Sequence, residues 1–289
     1  MTPSDSLQPF VFEAGAVRGA LVRLSATWRA VLERREYPEP LRAVLGELMA
    51  ATALLASNLK FEGSMIMQMQ GGGPVTLLVV ECSSELAMRS MAHWEGAPSG
   101  PLPELLGNGR FVITLDPSSG NKKYQSLVAL DGSSVAEVLE HYMRRSEQLD
   151  TRFWLAADGR QCCGLLLQRM PHGAPDPDLW HRTGMLASTV TAGELLATPA
   201  DALIRRLFHE EYVRVFSPRP VAFRCSCSRE RVVATLRMLG HAEVRQLIEA
   251  RGKVEVNCEF CNRRYEFDKV DAELLFAAQV VTRPQATHH

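Results

Sequence analysis

An α+β architecture is predicted for this chain of 289 residues from three observations. Strand-like segments outnumber helical ones over the first 170 residues, and several adjacent pairs are joined by short turns, which favours a largely antiparallel sheet. Helical spacing is confined to a few capped segments. Four of the seven cysteines fall in the last quarter of the chain, setting it apart as a unit of its own. The predicted organisation is an N-terminal α+β domain over 1–170, a helical linker over 171–222, and a small cysteine-bearing C-terminal domain over 223–289.

Taken in order, the first strong element is helical. After Pro38 and Pro40, apolar residues recur at Leu41, Val44, Leu45, Leu48, Leu55 and Leu59. This helix should begin near Pro40, where a missing N–H costs least, and end before Glu62-Gly63. In SMIMQMQ, Met65, Met67 and Met69 alternate with Ile66, Gln68 and Gln70, as in a strand with two unlike faces. Gly71-Gly72-Gly73-Pro74 then turns the chain into VTLLVVE as a hairpin partner. Further strands are predicted at 87–94, 110–116, 123–130, 151–157 and 163–170, with a helix near 134–146 set up by Ser133 or Ser134 and Glu137.

The linker opens on the proline-rich break PHGAPDPD. Thr191 with Glu194 forms a capping-box pattern, and Thr198-Pro199-Ala200-Asp201 sets a cap, an N1 proline and an early acid in order. These helices, near 192–197 and 199–209, are too short to stand alone and must be stabilised by docking. In the last piece, helical spacing at Val232, Val233, Leu236 and Leu239 is followed by a second helix ending at Gly252. KVEVN and RRYEF flank the second cysteine pair as short strands, and a helix is predicted near 271–278.

Composition limits the function classes. A chain that is 46% hydrophobic can bury one or two cores without disulfide staples. Its formal charge of −1 creates no global field toward nucleic acid or anionic membrane. The N-terminal stretch lacks a basic region followed by an apolar one, and the longest apolar run, about 41–59, is broken by Arg42, Glu47 and Asn58. A cytoplasmic protein with no membrane partner is the expectation. HExxH, GxSxG and phosphate-loop patterns are missing, and the triple glycine lacks the Lys-Ser/Thr of a P-loop, so the expectation is no enzyme. His209, Glu210 and Glu211 are read as a helix end, and His241 as a helix-terminal surface residue, rather than as metal ligands.

Cys225 and Cys227 form a CxC pair, and Cys258 and Cys261 a CxxC pair about thirty residues later. Stable disulfides are not expected in a reducing compartment, so paired thiols there read as metal ligands or redox groups. Zinc at a structural site takes four soft ligands in a tetrahedron, and four cysteines are a standard set. The spacing therefore predicts a small C-terminal four-cysteine zinc domain holding one Zn²⁺. Spacing alone leaves three roles open: a closed structural knot, a redox site, or a nucleic-acid ribbon. Arg224, Arg229, Arg231, Arg263 and Arg264 flank the pairs and would favour thiolate, with a solvated face or a phosphate-binding patch as equal alternatives. Over 221–270, ten Lys/Arg face seven Asp/Glu, and four thiolates with Zn²⁺ leave only about +1, thin for a nucleic-acid site. No nucleic-acid partner is expected.

The stretch CSCSRER with CEFC resembles the family of the 33 kDa heat-shock chaperonin, redox-regulated molecular chaperones of bacteria. FEAGAVRGALVRLS, YPEPLRAVLGELMAATALLASNLKFEGS, QGGGP, GNGR, RSEQL and LFHEEYVRVFSP are similar to that family too, so the resemblance spans nearly the whole chain. It implies an ATP-independent holdase for unfolding client proteins, inactive and monomeric while Cys225, Cys227, Cys258 and Cys261 hold zinc. It further implies that oxidation forms Cys225–Cys227 and Cys258–Cys261 disulfides, releases zinc, undocks the linker and yields a homodimer. A CxC bridge lies near the upper limit of span, so Cys258–Cys261 is expected to form first. The alternatives are a constitutive zinc-ribbon adaptor binding protein or RNA, and a thiol oxidoreductase, which the second cysteine pair disfavours. Cys82, Cys162 and Cys163 lie outside the switch motif and are expected to be buried and inert. The Met65/Met67/Met69 row is expected in the core, with a client-binding surface as the alternative.

Overall fold

The computed structural model describes residues 5–60, 62–118, 120, 122–171 and 176–280, the last four as backbone alone. Residues 172–175 of the proline-rich break, the first four residues and the tail with His288-His289 lie outside them. The chain divides into two compact units, Met1–Arg224 and Cys225–His289. Among the described residues no helix is long and apolar enough to cross a membrane.

The first unit runs β1 (Ser6–Phe12), β2 (Val17–Leu24), α1 (Ala26–Leu32), α2 (Glu39–Ala56), β3 (Gly63–Gln70), β4 (Val75–Ser83), β5 (Ala87–Trp94), α3 (Leu102–Leu106), β6 (Arg110–Pro117), β7 (Tyr124–Val128), α4 (Val135–Arg145), β8 (Thr151–Ala157), β9 (Cys162–Arg169), α5 (Leu179–Ala187), α6 (Ala192–Ala197), α7 (Ala200–Leu207), β10 (Val213–Val215), β11 (Arg219–Pro220) and β12 (Ala222–Phe223). One sheet has the order β10-β1-β2-β9-β8, with β11 also on β1; the other has β12-β5-β4-β3-β6-β7. All pairings are antiparallel except β12 with β5. The mixed α+β class and the antiparallel bias are as the sequence predicts.

The central helix α2 packs against strands of both sheets, which explains why most of its surface is apolar. Leu41, Leu45, Leu48, Leu54 and Met49 on it are fully buried. The helix starts at Glu39, with Pro38 as its N-cap and Pro40 in the first turn. On β3, Met65, Met67 and Met69 all point into this core, so the methionine row is packing. The Gly71–73 turn needs glycine for close approach: a Cβ on Gly73 would lie 2.8 Å from Leu105 O. The Gly72 and Gly73 amides both donate to Leu106 O, joining QGGGP to the residue just before GNGR.

The outer face of the first sheet carries a second core. Phe10, Phe12, Val17, Leu21, Leu165 and Leu167 meet Leu179, Leu195, Leu203, Ile204, Leu207 and Phe208 from α5, α6 and α7. The Phe208 ring stands edge-on to Phe12 at 5.0 Å. Arg23 on β2 fixes the end of α6, donating from Nη1 to Leu195 O at 2.9 Å and Thr198 O at 2.6 Å, and from Nη2 to Leu196 O. A cation is favoured there, because the last carbonyls of a helix lack intrahelical donors. Thr191 and Glu194 form the reciprocal capping box expected of them. In α7 the cap shifts by one residue from the sequence reading: Pro199, with no side-chain hydrogen bond, holds the N-cap position.

The second unit holds α8 (Arg229–Leu239), α9 (His241–Arg251), β13 (Val254–Asn257), β14 (Arg264–Phe267) and α10 (Lys269–Val280). Ser228 caps α8, accepting from the Arg231 amide, and Gly252 closes α9 in the left-handed conformation. Its buried core is small: Leu236, Val244, Ile248, Val254, Tyr265, Phe267, Ala272 and Leu275.

Candidate metal centre

The four cysteines of the second unit meet at one point. Cys225 and Cys227 lie on the extended segment before α8. Cys258 and Cys261 lie in the turn that joins β13 to β14. That turn is built by its backbone: the Cys258 amide donates to Arg263 O at 2.9 Å, and the Asn262 amide to Cys258 O at 2.7 Å. Asn262 supplies the positive φ of 56° that such a reversal needs, a role Asn fills at low cost. Cys227 and Cys258 also pack against the unit's apolar core, so the same side chains serve fold and site.

All four sulfurs lie within 4.8 Å of one another, the only such group of potential ligands among the described residues. Two of the separations run across the motifs, 3.6 Å for Cys225–Cys258 and 3.4 Å for Cys227–Cys261. A tetrahedron with metal–sulfur bonds of about 2.3 Å has an edge of about 3.8 Å. The donor set, all sulfur and half-exposed at the edge of a small core, therefore fits a four-coordinate soft or borderline cation such as Zn²⁺. The separations are far above the ~2.05 Å of a disulfide, and all seven cysteines are free thiols.

The thiols are not equivalent. For Cys227, burial raises the pKa, but the Tyr265 hydroxyl, which donates to its Sγ at 3.1 Å, and the neighbouring sulfurs outweigh that and bring it to about 7. Burial pushes Cys261 up to about 12 and also raises Cys258, against backbone N–H donors that favour both thiolates. Tyr265, buried on β14, is itself pushed up to about 12 by its bond to Cys227. The sequence alone assigns this residue to the small core without a polar role. A tyrosine four residues after a CxxC pair is the available signal, but the fold is needed to show which sulfur it meets.

The flanking arginines are largely engaged elsewhere. Arg229 pairs with Asp271 at 2.9 Å and stacks over Phe267; Arg231 donates to Ser226 Oγ at 2.7 Å. Arg264 pairs with Glu255 and Glu266, and Arg263 lies 5.4 Å over the Tyr265 ring. They brace the unit around the sulfurs. The other three cysteines are fully buried in the first unit, where burial holds Cys82 near 12, Cys163 near 11 and Cys162 well above its ordinary value. His209, Glu211 and His241 take the bland roles expected. Glu211 pairs with Arg182 at 2.6 Å, His209 Nδ1 sits 3.2 Å from Arg206 O, and His241 opens α9 on the surface.

Comparisons with known proteins cover the same span as these units. A family profile described as "Hsp33 protein" matches residues 5–268. The chain is 48% identical to the 33 kDa chaperonin of Methylobacillus flagellatus, with both chains fully covered. It is 49% identical to the 33 kDa chaperonin of Chromobacterium violaceum, covering 100% of this chain and 99% of that one. In fold it is similar to the crystal structure of the 33 kDa chaperonin of Thermotoga maritima, with a TM-score of 0.79 at 23% identity, over 96% of this chain and 99% of that one.

Proposed function

The chain belongs to the Hsp33 protein family, and from that premise we propose that it is an ATP-independent holdase chaperone whose activity is set by the redox state of its four clustered thiols. Family membership makes it a chaperone and not an enzyme. The observation that carries the redox reading is the convergence of Cys225, Cys227, Cys258 and Cys261 within 4.8 Å at the edge of a core too small to hold the unit together alone.

In the reduced protein these four residues hold one Zn²⁺, which supplies folding free energy to the unit, about 10 kcal/mol or more in comparable small zinc units. The thiolates are both ligands and nucleophiles, so oxidation to Cys225–Cys227 and Cys258–Cys261 disulfides consumes the ligand set. All four sulfurs are free thiols, so closing each pair to the ~2.05 Å of a disulfide requires the turn at 258–263 and the segment before α8 to rearrange. With the ligand set gone, the second unit loses most of what stabilises it.

The consequence reaches the first unit along the chain. The Arg224 amide donates to Met88 O on β5 at 2.9 Å, and the next residue is Cys225. The strands β10, β11 and β12 that precede it are only two or three residues long. We assign 171–222 as the metastable linker: α6 and α7 are too short to persist undocked, and their release uncovers Phe10, Phe12, Leu165 and Leu167. These apolar surfaces, on sheet and helices alike, are offered to unfolding clients in the cytoplasm, and the exposed area favours a homodimer over the reduced monomer.

The test is to treat zinc-loaded protein with hypochlorous acid or warm peroxide, then follow zinc release and the aggregation of a thermally unfolding client. Release together with suppressed aggregation is expected from the oxidised protein alone. Suppression by the reduced form to the same extent would identify a constitutive adaptor, and oxidation with zinc retained would remove the switch.

A further inference from the structure

Resting on the zinc and redox reading above, we propose that Tyr265 is a positioning residue of the thiol cluster. Its hydroxyl holds Cys227 Sγ in ligand geometry and occupies a lone pair that would otherwise be open to oxidant. Three features support this. The ring is buried in the second unit's core and fixed on β14 opposite Val256, so the hydroxyl has a set direction. Its oxygen lies 3.1 Å from Cys227 Sγ. Arg263, 5.4 Å over the ring, braces it from outside the core. Cys258 and Cys261 accept from backbone N–H groups of their own turn, which move with the turn. Cys227 instead depends on a side chain from a different strand. The hydrogen bond to Cys227 is thus lost when either β14 or the phenol is displaced, while the 3.4 Å approach of Cys227 to Cys261 does not depend on the hydroxyl.

A hydrogen bond to a coordinated thiolate draws charge from sulfur, lowers its nucleophilicity, and orients it, and partners of this kind change metal affinity by about 10- to 100-fold when removed. The step it restrains is attack by the Cys227 sulfur on hydrogen peroxide. The sulfur forms an S–O bond, the O–O bond breaks and hydroxide leaves. The Cys225 thiolate then attacks the sulfenic sulfur and expels a second hydroxide, so two thiolates give up two electrons and one peroxide accepts them.

The variant Tyr265→Phe keeps the ring and removes the donor. In reduced full-length protein, a chelator competition should show zinc affinity about tenfold weaker. The sulfur-to-metal charge-transfer band of the Co²⁺-loaded protein should move to lower energy. Under peroxide, the Cys225–Cys227 bond should form severalfold faster, with the Cys258–Cys261 rate unchanged. Replacing the five tyrosines by 3-fluorotyrosine, which sharpens the hydroxyl as a donor without removing it, should move the band the other way. This second measurement decides if the phenylalanine variant fails to fold. Coincident bands with zinc affinity within twofold overturn the assignment while leaving the zinc reading intact. A wild-type protein that takes up neither ion overturns both.

Discussion

On the zinc reading proposed above, each of the four cysteines supplies one corner of a tetrahedron, so losing one should weaken both metal binding and the fold coupled to it. Cys258→Ser is expected to weaken zinc binding by at least two orders of magnitude, and to remove the helical signal of the second unit, measured by chelator competition and circular dichroism. A second residue-scale expectation concerns α2. Burial pushes the half-buried Glu47 carboxyl from its ordinary 4.5 up to about 7. The native state therefore keeps a proton that the unfolded chain has given up between those values, and stability falls as pH rises through that window. Glu47→Gln removes this loss. The variant should exceed wild type by about 2 kcal/mol at pH 8, with the difference closing below pH 4.5, in thermal unfolding at several pH values.

At the scale of elements, the linker helices are held by one apolar face and one cation. Arg23 satisfies three carbonyls at the end of α6, and hydrogen bonds from a charged donor are worth about 1.5–3 kcal/mol. Arg23→Gln should weaken docking by about 2 kcal/mol, seen as faster proteolysis within 188–200 and as client protection without oxidant. Unchanged cleavage in the reduced variant would show that Arg23 does not restrain α6. Sequence patterns locate the capped and alternating elements well: α6, β3, β5, β8, β13 and β14 lie where those patterns place them, within a residue or so. They give no warning of β1, β2, α1 or α5. Pro9 interrupts the apolar alternation of β1, yet it pairs with Ala20 inside the sheet. Phe10 lies over Gly19 on the neighbouring strand, a cross-strand fit no local pattern records. In α5, Gly184 breaks the helical pattern, and the space it leaves is filled by the Arg152 guanidinium. The thiol site is legible because its spacing is local within each pair. Tyr265 is not, because its role depends on which strand faces Cys227.

For the whole molecule, stability is divided unevenly. The first unit has two apolar cores and the second only one small one, so they should unfold separately. Adding chelator and reductant together is expected to abolish the lower-temperature calorimetric transition and leave the upper one within a few degrees. A single merged transition, equally displaced by chelator, would contradict this division.

The burial of Cys82, Cys162 and Cys163 has one more consequence. Without metal, the four reduced switch thiols should answer a labelling reagent and the three buried ones should not, so the chain contains its own clock for the depth of opening. In reduced, metal-free protein a pulse should tag those four sites, and loss of the four tags with the other three still hidden reports an oxidised switch. A pulse that tags all seven reports a ruined protein, and a thiol-mass spectrum of cell extract can tell the two apart without any assay of clients.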